Sequence, residues 1–365
     1  MEKPSKTSPF QNTLGFPITL RCNLRCRHCV VSAEKKGSDM PLDTVRAWLE
    51  ETTKLKHIET VCFTGGEPFL VYNVLKEGVN IAHDLGFKVT VVTNGYWAKS
   101  MPHALKLLKA INHLSRMTIS FDRYHLEFLP LETLKTAIRA GQETGITTDI
   151  RISYLNNEEK EIDEAARLLD GVLSRDKITT QPIVRAGRAA SLTDGDFCSF
   201  ELDMPCEGAG IPVLQPDGNL QACCGPAYNL PYANPLWLGN VNETSLSHVL
   251  EEAQYNPAVH VIRSRGPYHL WKMVRGENQE DLKRFDTTNF CSFCMSMMSD
   301  SDFLRDLYAF TADPAVLKRV AVERFFVLQE PEMLVGLKTR NIRGNAFEQT
   351  CLQPVADVEP LERMP

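Results

Sequence analysis

The 365-residue sequence has no apolar run long enough to span a bilayer as a helix; its most apolar stretches, such as Val89–Thr93, are strand-sized. It also lacks an excess of basic charge. Forty Lys and Arg against 46 Asp and Glu leave a formal net charge of −6, which gives no electrostatic reason to expect nucleic acid or an anionic membrane as partner. Gly and Pro, 21 each, are ordinary in number, so collagen-like, low-complexity and largely disordered chains are excluded. The opening MEKPSKTSPFQNTLGFPITL contains no apolar core of a secretory signal. The expected location is therefore the cytoplasm, where clustered cysteines more often hold metal than each other. Cysteine is what stands out. Eleven are present, too few for a small disulfide scaffold, and their odd number means disulfides alone could not use them all.

The first half alternates two periods. Strand-like runs occur at Gly15–Leu20, Thr60–Thr64, Lys88–Thr93, Met117–Phe121, Thr148–Ser153 and Ile178–Val184. Amphipathic helical stretches lie between them at Leu42–His57, Val74–Leu85, His103–His113, Leu131–Glu143 and Glu158–Leu173. This α/β alternation predicts right-handed crossovers and a parallel sheet, barrel-like or doubly wound, with chemistry at the C-terminal strand ends. After about Ala190 the alternation stops. Residues 191–300 are rich in turn signals, hold six of the cysteines and read as a small metal-organised unit. Helical spacing returns from Phe303 to about Leu337. The expected division is thus 1–190, 191–300, and a helical extension with tail over 301–365.

Directly after the first strand stand Cys22, Cys26 and Cys29, spaced C-x3-C-x2-C. Chance would produce such a trio about 0.01 times in a chain of this composition, so the spacing carries meaning. A structural zinc site needs four ligands and usually pairs C-x2-C units over a distance; here the local set stops at three. Three thiolates on a four-iron cluster leave one iron open to another ligand. The next strand ends in Gly65-Gly66-Glu67-Pro68, where paired glycines let backbone approach a ligand and Glu67 offers a carboxylate to an ammonium group.

Cys22, Cys26 and Cys29 together with Gly65–Pro68 resemble the radical S-adenosylmethionine (SAM) superfamily. The resemblance implies a partial (β/α)6 TIM-like barrel and a [4Fe–4S] cluster whose open iron is chelated by SAM. It also implies cleavage of SAM to a 5′-deoxyadenosyl radical that abstracts a substrate hydrogen. Ser120 and Asp122 resemble positions that touch the SAM ribose or carboxylate. Arg151 either pairs with the SAM carboxylate or forms a structural salt bridge, and Asn94 serves SAM or makes a turn. His125 binds substrate or SAM, or hydrogen-bonds at a helix start. Gly187-Arg188-Ala189 resembles a superfamily segment in which backbone matters more than the Arg side chain.

A second set, Cys206, Cys223 and Cys224 with the distant Cys291-Ser292-Phe293-Cys294, can supply a four-thiolate site from Cys206, Cys223, Cys291 and Cys294. On composition alone zinc is the sober reading. Behind a radical SAM barrel the spacing resembles the SPASM or shorter twitch auxiliary domain, which implies one auxiliary, fully ligated [4Fe–4S] cluster. Either Cys223 or Cys224 could be the ligand, and the other thiol is left over. Cys198 is a reserve ligand, Cys62 reads as core, and Cys351 lies in the tail.

Phe63–Leu70, Thr93–Trp97, Thr118–His125, Pro216–Ala227 and Asn289–Cys294 together look like the radical SAM peptide epimerases. That resemblance carries the role of hydrogen-atom donor to Cys224. It implies conversion of L to D residues in a ribosomally made peptide, with an electron donor such as flavodoxin or ferredoxin. The alternative on the same machinery is dehydrogenation or cross-linking of a peptide, or oxidation or epimerisation of a sugar-like metabolite.

Overall fold

In the computed structural model, residues 12–155, 157–192, 202–231 and 234–330 are described. Cys198 and Cys351 lie outside them. Six parallel strands form in chain order: β1 (Thr13–Thr19), β2 (Thr60–Gly65), β3 (Lys88–Thr93), β4 (Arg116–Ser120), β5 (Thr147–Tyr154) and β6 (Ile178–Pro182). Their spatial order never reverses. A doubly wound sheet needs a reversal to place helices on both faces; with none, every right-handed crossover falls on the same side and the sheet curls into a partial barrel.

The two faces of the sheet differ in chemistry. Leu14, Phe16, Val61, Phe63, Val91, Met117, Ile119 and Ile150 are buried in the helix-facing core. The position a Gly78 Cβ would take lies 3.0 Å from the Phe63 ring, which fixes that side of β2 against the helix Tyr72–Asp84. The alternate residues, in register across the sheet, are Cys62 and Thr90, Val92 and Thr118, then Ser120, Arg151 and Thr179. A closed TIM barrel fills this interior with bulky branched side chains. Here it is mostly hydroxyls, a thiol and a guanidinium.

The barrel does not close on itself. β7 (Val213–Leu214) adds in parallel to β1, and β8 (Asn219–Gln221) and β9 (Trp237–Asn240) follow antiparallel, so these three strands continue the barrel sheet past its first strand. A second apolar core gathers Ala209, Trp271, Phe285, Phe293, Phe303, Leu307 and Val320. Its rings meet edge to face, with Phe285–Phe293 centroids 5.7 Å apart.

The turn-rich reading of 191–300 underestimated helix. Helices occupy Leu246–Ala253, Pro257–Arg265, Pro267–Arg275 and Phe290–Met298. Each is only eight or nine residues long, and Pro257–Arg265 is buried on nearly every side, so no amphipathic period marks it. At the end of the described chain, Glu330 accepts from Arg263 at 2.8 Å and from Arg324 at 2.7 Å, all three being buried. No helix among the described residues is long and apolar enough to cross a membrane.

Candidate active site

The chain leaves β1 into a loop carrying Cys22, Cys26 and Cys29, and several independent fastenings hold that loop. Arg21 donates twice to Asp39, at 2.9 and 2.6 Å, and Thr19 donates to the same carboxylate at 2.6 Å. The Cys22 N–H bonds the Glu34 carbonyl at 2.7 Å. From the far end of the barrel sheet, Arg188 donates to the Cys26 carbonyl at 2.9 Å and the Ala33 carbonyl at 2.8 Å. Its own N–H bonds the Cys29 carbonyl at 3.0 Å. The Arg188 side chain therefore matters as much as the backbone, contrary to the sequence expectation. Nothing in the local sequence relates it to a loop about 160 residues earlier.

Burial first, and then the Glu67 carboxylate with the neighbouring Cys26 and Cys29 thiols, push Cys22 up to about 12, against the Leu24 N–H. Three thiols held together in a pinned loop form a donor set suited to a multivalent iron cluster, which requires thiolates.

The glycine pair ends β2 against this loop. Gly65 has φ +137, and a Cβ there would lie 2.1 Å from the Thr19 carbonyl oxygen; a Cβ on Gly66 would lie 2.1 Å from that of Arg21. The Gly66 and Glu67 N–H groups bond those same carbonyls at 2.7 and 2.8 Å. Close approach is thus made to the cysteine loop itself.

Glu67 is fully buried. One oxygen accepts from Phe69 N–H at 3.0 Å and Thr93 Oγ1 at 2.8 Å, and the other from Asn94 N–H at 2.7 Å. Burial, opposed by these donors, still pushes its carboxyl up to about 7. Pro68 opens the short helical turn that follows. Asn94 does two things: its oxygen accepts from Tyr96 N–H at 3.0 Å, making a turn, and its amide nitrogen stands 3.8 Å from Cys22 Sγ.

Beyond β4, Asp122 caps the short helix Arg123–Leu126 by accepting from the Tyr124 and His125 N–H groups, and meets His125 Nδ1 at 2.8 Å. Its other oxygen lies 3.4 Å from His28 Nε2. Burial opposes charge on both members of the Asp122–His125 pair, yet their mutual attraction outweighs it, holding Asp122 at about 2 and His125 at about 10. Both carboxylate oxygens are therefore engaged by protein groups. His28 and His125 are joined through Asp122 beside the cysteine loop; the sequence marked Asp122 and His125 separately but not their union with His28. By contrast, the Ser120 hydroxyl and Arg151 guanidinium face the interior with no hydrogen-bond or ion-pair partner among the described residues. Cys62 also faces inward rather than into the core, because Val61 and Phe63 take the helix side.

Cys206, Cys223, Cys291 and Cys294 line one small apolar cavity, together with Ala209, Ala227, Leu236, Ile262, Phe290 and Met295. Cys291 and Cys294 stand on one face of the helix Phe290–Met298, three residues apart. Burial, and then Cys206 and Cys223, drive both of those thiols far above the ordinary value. An apolar chamber holding four converging thiols fits a fully ligated cluster.

Cys224 is not part of that lining. The residue is exposed, and its sulfur passes 3.4 Å from where a Gly208 Cβ would stand. Burial pushes this thiol up to about 12 too, followed by Cys223 and Cys206, with Arg151 opposing and Cys62 adding. The residue is thus exposed at the surface of the fold while its thiol is desolvated by its neighbours. Arg151 and Cys62, the charges acting on it from the barrel, both face the interior.

Comparison with known proteins gives a match to the radical SAM superfamily over residues 16–169. YydG of Bacillus subtilis strain 168, named as a peptide biosynthesis protein, is 24% identical over 314 residues, covering 82% of this chain and 96% of that one. An S-adenosylmethionine-dependent nucleotide dehydratase of Fibrobacter sp. strain UWH6 is 26% identical over 155 residues, 40% of this chain and 41% of its own. The solved structure of anSMEcpe with bound AdoMet aligns at 11% identity over 84% of this chain and 99% of that chain, with a TM-score of 0.47.

Proposed function

This protein is a radical SAM enzyme, and from that premise we propose that it epimerises L residues to D in a ribosomally made peptide. Cys22, Cys26 and Cys29 would hold the [4Fe–4S] cluster. Gly65, Gly66 and Pro68 shape the edge of the SAM pocket, with Asn94, Ser120 and Arg151 reaching its polar groups. Glu67 and Asp122, with both oxygens of each engaged by protein groups, act as positioning residues. When bound, cluster and SAM together supply a 5′-deoxyadenosyl radical that removes the substrate Cα hydrogen.

Cys224 completes the exchange. Its S–H bond breaks and a new C–H bond forms on the opposite face of the Cα, leaving the sulfur one electron and one proton short. A donor such as flavodoxin or ferredoxin restores the electron and solvent restores the proton. Cys206, Cys223, Cys291 and Cys294 would hold an auxiliary [4Fe–4S] cluster in a twitch-like domain, beside that sulfur. The observation that carries this reading is the division of the adjacent pair: Cys223 lines the four-thiol cavity while Cys224 stands outside it, within electrostatic reach of Arg151 and Cys62 on the barrel strands. The peptide class is supported by the near full-length likeness to YydG.

Turnover in deuterated water should place one deuterium at each inverted Cα, and Cys224→Ala should still form 5′-deoxyadenosine but no D residue. A product two hydrogens lighter, with unchanged configuration, would select the alternative, dehydrogenation or cross-linking. A nucleotide or sugar-like substrate turned over in place of peptide would remove the peptide reading altogether.

A further inference from the structure

Two glutamines in the hairpin that leads to Cys224 carry amide oxygens with no donor. Gln215 is 6% exposed and Gln221 2% exposed, and the Oε1 of each is buried without a hydrogen-bond partner. An orphaned buried carbonyl is destabilising, and two occur on one small hairpin. Their neighbour Asn219 shows that the hairpin can satisfy an amide: Asn219 donates to Asp217 at 2.8 Å and accepts from Trp237 and Asn240 at 3.1 Å each.

The register says where the orphans face. Val213 pairs with Gln221 and Leu214 with Leu220, so Val213, Gln215 and Gln221 share one face and the two leucines the other. Both leucines are fully buried in the core with Leu246, Val249 and Leu250. Val213 pairs with Gly15, its Cγ2 standing 3.1 Å from where a Gly15 Cβ would be. Gly15 is itself in register with Cys62. The glutamine face is therefore continuous with the barrel interior, and Cys224 lies three residues beyond Gln221.

We propose that Gln215 and Gln221 receive main-chain N–H groups of an extended peptide, an inference that rests on the peptide reading above and adds how the peptide is held. Diagonal neighbours on paired antiparallel strands stand about 7–8 Å apart. In an extended chain the N–H groups of alternate residues point the same way, about 6.6–6.8 Å apart. The two spacings match. A nucleobase presents its donors on a single ring edge, too close together to meet both amides. Each glutamine also carries a donor, so it can close a two-point contact with a peptide unit. The recognition is main-chain directed and tolerant of side-chain sequence.

The test uses full-length, iron-loaded protein with its Gln215→Leu and Gln221→Leu variants, and a pool of short synthetic peptides of random sequence. A parallel pool carries backbone N-methyl groups. The parent should retain a set of unmodified peptides at least tenfold over their N-methylated counterparts, read by mass spectrometry. Each variant should lose that set about tenfold while melting at or above the parent temperature, because an orphaned amide has been replaced by an apolar group. A parent that retains neither pool overturns the inference. So do variants that keep the parent's set undiminished, or variants whose peptide loss tracks a lowered melting temperature. The failure of epimerisation reads differently: retained peptides that emerge two hydrogens lighter and all-L leave the glutamine contacts standing. Parent and variants that invert peptides with the same KM do the opposite.

Discussion

Gly66 is fixed by sterics before any ligand is considered. A methyl group at that position would meet the Arg21 carbonyl oxygen at 2.1 Å, and the backbone it would displace carries Cys22. Gly66→Ala should cost about 1–3 kcal/mol, as overpacking does. It should also lower iron content by about half, since only the N-terminal thiol set is disturbed; an iron assay beside a thermal melt measures both. Full iron content in this variant would contradict the coupling of turn and loop. The motif itself was legible in the sequence, but its reason was not. Glycine spacing marks close backbone approach, and only the register of β1 against β2 shows that the partner is the protein's own chain. Glu67 follows the same pattern: the residue was found, whereas its donors, Phe69 two residues on and Thr93 and Asn94 at the end of the neighbouring strand β3, show only in the fold.

At the scale of elements, the boundaries of β1 to β6 were read to within two residues, and Lys88–Thr93 and Leu131–Glu143 emerge unchanged, whereas the short strands β7, β8 and β9 were not read. The short helices between 246 and 298 were missed for want of a period to read. The cysteine loop depends on a residue that periodicity could not identify. Two guanidinium-to-carbonyl bonds from Arg188 close it, and bonds of this kind to charged donors are worth about 1.5–3 kcal/mol each. In metal-stripped protein, Arg188→Met should therefore speed amide exchange over residues 21–34 by about a hundredfold, while exchange in the helix Leu131–Glu143 stays as it was. Equal protection in parent and variant would show that the other fastenings suffice.

At the scale of the whole molecule, buried charge ties the last described residues to the second core. The Arg263 and Arg324 guanidinium groups hold the Glu330 carboxyl below its ordinary value of 4.5, although burial works the other way. A carboxyl with a depressed native pKa contributes stability that is present above its unfolded pKa and lost as pH falls through the native one. Glu330→Gln should accordingly destabilise by about 3–5 kcal/mol at neutral pH, the cost of removing the carboxylate charge that two buried guanidinium groups face. The gap in urea midpoint between parent and variant should narrow as pH falls below about 4.5. A gap that stays constant down to acid pH would place the stabilisation elsewhere.

Sequence separation also orders the assembly of the molecule. Cys22, Cys26 and Cys29 sit within eight residues of one another and can gather as soon as their loop forms. The four thiols of the second cavity arrive from Cys206 through Cys294, and their hairpin joins the sheet only by pairing Val213 with a strand about 200 residues earlier. Such long-range pairing is the slow part of folding. Metal can thus be captured locally at the first set while the second chamber does not yet exist. The late-forming half of the chain, rather than the cofactor-binding loop, is then the step at which maturation is vulnerable to oxygen, wrong metals and thiol oxidation.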